Sequence, residues 1–195
     1  MRLIIKHISI KSVCLFLFLS IVCCVREYVK DKKTFIIKKG SNFSENKKRF
    51  VNKISEFSCK VDFEQYKYEV PKSDIYDWNK LFGFSFLRLE AKNPVHEDSA
   101  RWGWRWLNDK IEITPYCYVD SQIIKDKKVF VIENKTDLAI KVRESFYDFY
   151  IDNQLVHSEK FNHNKRKVLI ERPYFGGNNK APNDIIISFL NLTIK

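Results

Sequence analysis

The chain has 195 residues, of which 45% are hydrophobic and 15% aromatic. That apolar content can build a packed core, so the composition excludes a disordered chain and the length favours one folded domain. The formal net charge is +11, but the lysines are spread along the sequence and no helix-turn-helix or zinc-finger spacing occurs, so we expect no nucleic-acid partner.

The first 24 residues have the pattern of an export signal. Arg2, Lys6 and Lys11 precede an uncharged, mostly apolar run at residues 12–25. This run is shorter than the ~20 residues of a membrane-spanning helix and matches the apolar region of a signal peptide. We predict that residues 1–24 are a signal peptide or a membrane anchor. The protein is then exported to the cell envelope, where it is secreted or bound to the membrane by this segment or by a lipid.

Two adjacent cysteines near the end of this run, Cys23 and Cys24, are candidate lipidation sites. They resemble the acylated cysteine of a bacterial lipoprotein. The residue before that cysteine would be Val22 or Cys23, where Gly, Ala or Ser is usual. An ordinary apolar run that contains cysteines is the alternative.

Residues 25–49 are rich in lysine and contain one short apolar run at residues 35–37. Lysines beside a strand protect its open edge from pairing with other molecules. We predict a lysine-rich tether that ends in a first edge strand.

Residues 50–195 have the pattern of an all-β domain. Apolar residues alternate with polar ones at residues 57–63, and three phenylalanines share one face of residues 81–87. Further short strands are predicted at 128–132, 138–143, 146–151, 155–158, 168–170 and 185–192. About ten short strands without a long amphipathic helix predict an antiparallel β-sandwich or jelly roll of lectin-like type.

Residues 99–120 contain three of the four tryptophans and read as a β-hairpin. With Asn108 and Asp109 as the turn, antiparallel pairing fixes the partners across the hairpin. The predicted pairs are Trp106 with Ile111, Arg105 with Glu112, Trp104 with Ile113, and Arg101 with Tyr116. Since side chains alternate between faces, the tryptophans share one face, and their large apolar area places that face in the core.

The opposite face of the hairpin carries the candidate ligand-binding residues Arg101, Arg105, Tyr116 and Tyr118. Arginines bind carboxylates and sulfates in a fixed geometry, and tyrosines both stack and donate hydrogen bonds, so this face suits an acidic glycan. The alternative is a solvated sheet surface in which Arg105 pairs with Glu112.

The loop at residues 90–98 supplies the one candidate catalytic side chain, His96, which is also a candidate ligand-binding residue. His96, Asp98 and Arg101 lie within six residues, close enough for general acid–base chemistry. No motif positions a pair of carboxylates, a set of metal ligands or a phosphate-binding loop, so we expect no metal and no cofactor.

Outside the signal region the cysteines are Cys59 and Cys117. In an oxidising compartment they could form a disulfide between two strands. Both fall on the apolar side of their strands, where a free thiol is equally well accommodated.

Several segments resemble a family of bacterial secreted or lipid-anchored proteins, over roughly residues 34–190. The matching segments are TFIIKKG at 34–40, NKLFGFS at 79–85, HEDSARWGWRW at 96–106, KIEITPYCY at 110–118 and YFGGNNKAPND at 174–184. The resemblance implies one β-sandwich behind an export signal, and it carries over no activity and no catalytic residue. The family often has two adjacent histidines where this sequence has His96 alone.

These observations lead to three functional hypotheses. The first is an exported, non-catalytic binding module for a surface glycan. The second is a polysaccharide lyase or hydrolase that uses His96, and the third is a structural lipoprotein of the cell envelope. A cleft lined by His96, Arg101 and Tyr116 would favour the enzyme, and a flat face would favour binding or structure. The sequence predicts no oligomeric state.

Overall fold

The computed structural model describes residues 31–44, 49–87, 96–124, 128–161, 167–177 and 179–195. The predicted export segment, with Cys23 and Cys24, lies outside these ranges. Within them the chain forms thirteen strands, and no helix in these ranges has the length and apolar character needed to cross a membrane.

The strands in chain order are β1 (Lys32–Ile37), β2 (Arg49–Val51), β3 (Glu56–Gln65), β4 (Asn79–Phe86), β5 (Ser99–Leu107), β6 (Lys110–Val119), β7 (Gln122–Ile123), β8 (Phe130–Ile132), β9 (Thr136–Arg143), β10 (Phe146–Ile151), β11 (Gln154–Lys160), β12 (Val168–Glu171) and β13 (Ile185–Ile194). They form two antiparallel sheets. Sheet A has the order β1-β13-β3-β9-β10-β11, and sheet B has the order β2-β12-β4-β5-β6-β7 with β8 beside β6. The predicted all-β antiparallel sandwich is confirmed.

The core lies between the two sheets and is rich in aromatic side chains. The rings of Phe57 in sheet A and Phe82 in sheet B stack with centroids 4.6 Å apart. Trp102 in sheet B meets the ring of Phe149 in sheet A edge to face at 5.0 Å, and its indole N–H donates to the carbonyl of Ala139 at 3.3 Å. Period-two alternation along each strand is what delivers these side chains to a single interior.

Strand β1 lies at the edge of sheet A, in the segment predicted as tether and first edge strand. Its residues Phe35 and Ile37 are buried in the core. The sandwich therefore extends to the N-terminal side of residue 50, because β1 contributes side chains to the interior as well as lysines to the edge.

The β5–β6 hairpin has the predicted register at every position named from the sequence. Asn108 and Asp109 form the turn with φ of 49° and 56°, which is the left-handed conformation that a two-residue hairpin turn requires. Trp102 and Trp104 are fully buried, as predicted. Trp106, next to the hairpin turn, is only half-buried and packs against Tyr66 with ring centroids 5.2 Å apart.

The structure does not form the possible disulfide between Cys59 and Cys117, since both are buried cysteines that are not bridged. Cys59 belongs to β3 in sheet A and lies opposite Leu138 on β9. Cys117 belongs to β6 in sheet B and lies opposite Ala100 on β5. Each thiol packs as a small apolar group in the core, which is the alternative that the sequence left open.

Candidate functional site

The site lies on the outer face of sheet B, which we define as the side of β12, β4, β5 and β6 that points away from the core. Pairing across these strands aligns Glu171 with Gly83, Gly83 with Arg101, and Arg101 with Tyr116. Two residues further along each strand, and so on the same face, Ser85 pairs with Ser99 and Ser99 with Tyr118. The face therefore brings together residues that are far apart in the sequence.

A register shift between Lys80 and Phe82 on β4 decides which side chains reach this face. Leu81 is the extra residue, so Phe82 points into the core opposite Trp102 while Lys80 lies opposite Gly103 on the outer face. Such a bulge changes the alternation of the strand by one residue. Lys80 was not predicted as a site residue, because simple alternation from the phenylalanines would turn it inward.

Five side chains form what we call the cationic–aromatic row. They are Lys80, Tyr116, Arg101, Tyr118 and His96. The Lys80 ammonium lies 4.4 Å from the centre of the Tyr116 ring, and the Arg101 guanidinium lies 5.1 Å and 5.7 Å from the rings of Tyr116 and Tyr118. The row ends where the ring of His96 stacks on that of Tyr118, with centroids 5.1 Å apart.

Arg101 lies at the bottom of the row and is only 4% exposed. Its side chain crosses Gly83, where an added side-chain carbon would lie 2.8 Å from its Cγ. Burial lowers the pKa of the guanidinium, and the Glu171 carboxylate acts in the opposite direction. That carboxylate also accepts a hydrogen bond from Ser85 at 2.7 Å. Arg101 was predicted to contact a ligand, but its side chain lies beneath the surface of the sheet. The sequence pattern predicts which face of the sheet a residue occupies and does not predict how deeply that residue is buried.

Tyr116 is also largely buried, with 9% of its surface exposed. The pKa of Tyr116 is raised to about 12, mainly by burial and to a smaller extent by its electrostatic interaction with Tyr118. The phenol therefore stays protonated near neutral pH, which suits a hydrogen-bond donor and not a base.

His96 is the exposed member of the row. Partial burial lowers the pKa of its imidazole, and the positive charges of Arg101 and Lys80 lower it further. The ring is consequently neutral at pH 7 and able to accept a proton. Asp98, which lies close to it in sequence, is buried and accepts a hydrogen bond from the N–H of Asp120 at 3.0 Å.

The other end of the outer face is formed around Arg105. Its guanidinium contacts the Glu112 carboxylate at 2.6 Å, so the pairing considered from the sequence is confirmed. The same guanidinium lies 4.2 Å from the ring centre of Trp78 and 5.6 Å from that of Tyr76. Arg105 was predicted together with Arg101, but the structure separates them into two environments. Neither Tyr76 nor Trp78 was predicted as a site residue, since only the fold brings the loop before β4 alongside β5.

The two glutamates of this face cannot work as a glycosidase pair. Glu171 on β12 is aligned across the sheet with Tyr116 on β6, three strands away. Glu112 lies on β6 four residues from Tyr116. Strand spacing and rise place their backbones about 14 Å apart across the sheet and about 13 Å along it, so about 20 Å in total. Paired catalytic carboxylates in glycosidases are about 5–9.5 Å apart.

Within the part of the chain that the structure describes, no three His, Cys, Asp or Glu side chains are grouped as metal ligands. The outer face combines positive charge, aromatic rings, phenol donors and one neutral imidazole.

Comparison with solved structures places this sandwich among known folds. An alginate lyase in complex with dimannuronate has a TM-score of 0.52 at 12% identity, over 83% of this chain and 73% of that chain. A functionally unknown protein from Saccharomyces cerevisiae has a TM-score of 0.51 at 12% identity, over 84% and 87%. The catalytic domain of an endo-1,3-β-glucanase (laminarinase) from Thermotoga petrophila has a TM-score of 0.50 at 9% identity, over 84% and 69%.

The fold is a jelly-roll sandwich. At these identities the likeness shows the fold alone. A scan against protein-family models finds no match, and neither does a search of curated protein sequences.

Proposed function

We propose that the protein is a polysaccharide lyase that acts on an anionic, uronate-containing glycan at the outer face of sheet B. The observation that carries the proposal is the cationic–aromatic row, which joins positive charge to a neutral imidazole stacked on a phenol. The row suits a substrate that carries a carboxylate next to an acidic C–H bond.

The reaction that fits these groups is β-elimination. A base removes the proton from C5 of the uronate, the bond from C4 to the bridging oxygen breaks, a C4–C5 double bond forms, and the leaving oxygen takes up a proton. His96 is the base because its imidazole is neutral. The Tyr118 hydroxyl, on the adjacent stacked ring, gives the proton to the leaving oxygen. Lys80 and the underlying Arg101 stabilise the negative charge that develops on the carboxylate.

Two arguments favour a lyase over the other hypotheses. The solved structures that share this fold include an alginate lyase and a glucanase, which favours the polysaccharide-degrading alternative over a non-catalytic binding module by analogy of fold. The separation of Glu112 from Glu171 favours elimination over hydrolysis, because elimination needs no carboxylate pair.

The test is to incubate the purified full chain with alginate, polygalacturonate and a neutral β-glucan. Elimination creates an unsaturated uronate that absorbs in the ultraviolet, whereas hydrolysis creates only reducing ends. We expect absorbance from the uronate polymers alone, and a loss in kcat of about 100-fold or more in His96→Ala and Tyr118→Phe. His157→Ala is the matched control, because His157 lies on sheet A beside Glu159.

Other outcomes would decide between the remaining hypotheses. Reducing ends without absorbance would identify a hydrolase. Retention of the glycan without turnover would identify a binding module, and no interaction with any polymer would leave a structural role in the cell envelope.

The location of the protein forms a second part of the proposal. The apolar run and the adjacent cysteines at residues 23 and 24 support export, with a lipid on Cys23 or Cys24 that holds the domain at the membrane. The protein should incorporate radiolabelled palmitate in its native host. One of the two variants, Cys23→Ala or Cys24→Ala, should lose the label, and that variant identifies the acylated cysteine. Wild-type protein without label would exclude lipidation and leave a cleaved signal peptide or an uncleaved anchor.

A further inference from the structure

We infer that the Tyr76 end of the outer face is a second sugar-binding subsite, which holds another unit of the same polymer by ring stacking. The inference rests on the proposed function for the identity of the polymer. The subsite consists of Tyr76, Trp78, Arg105 and Glu112.

The first observation is the exposure of Tyr76. Tyr76 is 68% exposed, although the centre of its ring lies 5.6 Å from the Arg105 guanidinium on one side. A large aromatic side chain that is held in place and still open to solvent offers an apolar surface to a ligand.

The second observation is that the loop carrying Tyr76 is held in a defined position. Arg105 donates a hydrogen bond to the Tyr76 carbonyl at 3.0 Å. Asn179 donates to the Asp74 carboxylate at 2.7 Å, and the Asp77 N–H donates to the Asp74 carbonyl at 2.9 Å. A ring fixed before the ligand arrives loses less conformational entropy on binding, so it contributes more to affinity.

The third observation concerns charge and distance. The Arg105 guanidinium is paired with Glu112, and the exposed fractions of the two side chains are 12% and 15%. This end therefore recognises its ligand by stacking, whereas the end that contains Lys80 recognises it by charge. Arg101 and Arg105 are four residues apart on β5, about 13 Å at the rise of a strand. Both ends lie on one continuous face, so an oligosaccharide of several units can reach both.

The occupant that fits is one pyranose ring of the polymer, with its apolar C–H face against Tyr76. A disaccharide bound at the His96 and Tyr118 end of the cationic–aromatic row, on the far side of Arg101 from Arg105, would not reach Tyr76. Stacking contacts are insensitive to salt, and contacts between exposed charges are screened by it.

The experiment measures the affinity of the full chain for oligouronates of increasing length by calorimetry, at low and at high salt. Tyr76→Ala should weaken binding of the longer oligomers about ten-fold, which is about 1.4 kcal/mol, at both salt concentrations. It should leave disaccharide binding unchanged. Tyr76→Phe should bind like the wild type, because it keeps the ring.

Tyr150→Ala is the matched control. Tyr150 lies in sheet A with the Lys141 ammonium 4.7 Å from its ring centre, so this variant also removes a tyrosine beside a cation. An unchanged affinity in Tyr76→Ala, an equal loss for the disaccharide, or no binding of any oligouronate would overturn the subsite. Turnover is assayed separately, so glycan binding that depends on Tyr76 without elimination would support the subsite while refuting the lyase.

Discussion

Arg101 occupies the space that a side chain at Gly83 would need. The two residues are partners across β4 and β5, and a carbon added at Gly83 would lie 2.1 Å from the Ala100 carbonyl oxygen and 2.8 Å from the Arg101 Cγ. The glycine is what lets a long cationic side chain lie flat against the sheet beneath the aromatic rings.

Gly83→Ala should therefore destabilise the protein by about 1–3 kcal/mol or more, because both the neighbouring backbone and Arg101 must move. Urea unfolding measures the change. Gly40→Ala is the control, since Gly40 has φ of 77° and no atom within 4 Å of an added carbon, so its cost is the ~1–2 kcal/mol of a left-handed alanine. A smaller loss at Gly83 than at Gly40 would contradict the packing account.

Lys80→Met should raise the pKa of His96. Partial burial is the main cause that lowers this pKa, but the charge of Lys80 contributes to it. An NMR titration of the imidazole ring, assigned by its loss in His96→Gln, measures the shift. If His96 is the base, the acid limb of the activity profile should move to higher pH in the same variant, because the ring must be neutral to act. Lys60→Met on β3 of sheet A should change neither quantity.

Asp148 should make stability fall in acid. Burial alone would raise the pKa of this carboxyl, but hydrogen bonds from Arg143 and Ser158, at 2.7 Å and 2.6 Å, hold it below its ordinary value. A carboxylate with a lowered folded-state pKa stabilises the protein above the unfolded pKa, and this contribution is lost as the pH falls through the folded pKa.

Asp148→Asn should therefore lower the free energy of unfolding at pH 7 by about 1.5–3 kcal/mol and flatten its decline below about pH 5. Urea unfolding at a series of pH values tests both effects. Asp109→Asn, in the exposed hairpin turn, is the matched control for the change of an aspartate to an asparagine. Identical slopes in wild type and Asp148→Asn would refute the role of this carboxylate.

Cys59 and Cys117 should be protected from thiol reagents in the native protein. Burial raises the pKa of the Cys59 thiol well above its ordinary value, so little reactive thiolate forms. After unfolding without reductant, peptide mass mapping should find the label on both residues. An unlabelled pair under those conditions would show a disulfide instead.

The sequence was most informative where structure is local. The β5–β6 register could be predicted because a two-residue turn at Asn108 and Asp109 determines every pair that follows. The assignment of Trp102 and Trp104 to the core followed from that register and from the large area of an indole ring.

The parts of the site that could not be predicted depend on distant segments. Arg101 is buried because Gly83 on β4 accommodates its side chain, and the Glu171 carboxylate on β12 influences its pKa. Trp78 lies beside Arg105 because of the pairing of β4 with β5. These contacts cannot be predicted from the pattern of one hairpin. That pattern specifies which face of the sheet a side chain occupies, and it does not specify which residues from other strands pack against it.

The extra residue at Leu81 has a consequence for comparing related sequences. A chain that kept every residue of this segment but paired β4 with β5 without the bulge would turn Lys80 toward the interior and take Trp78 away from Arg105. Both ends of the outer face would change although every named side chain was retained. A chain without Leu81 would need no bulge and would keep the lysine on the outer face, so a lysine directly before the first phenylalanine of this strand is the equivalent of Lys80 when related sequences are aligned.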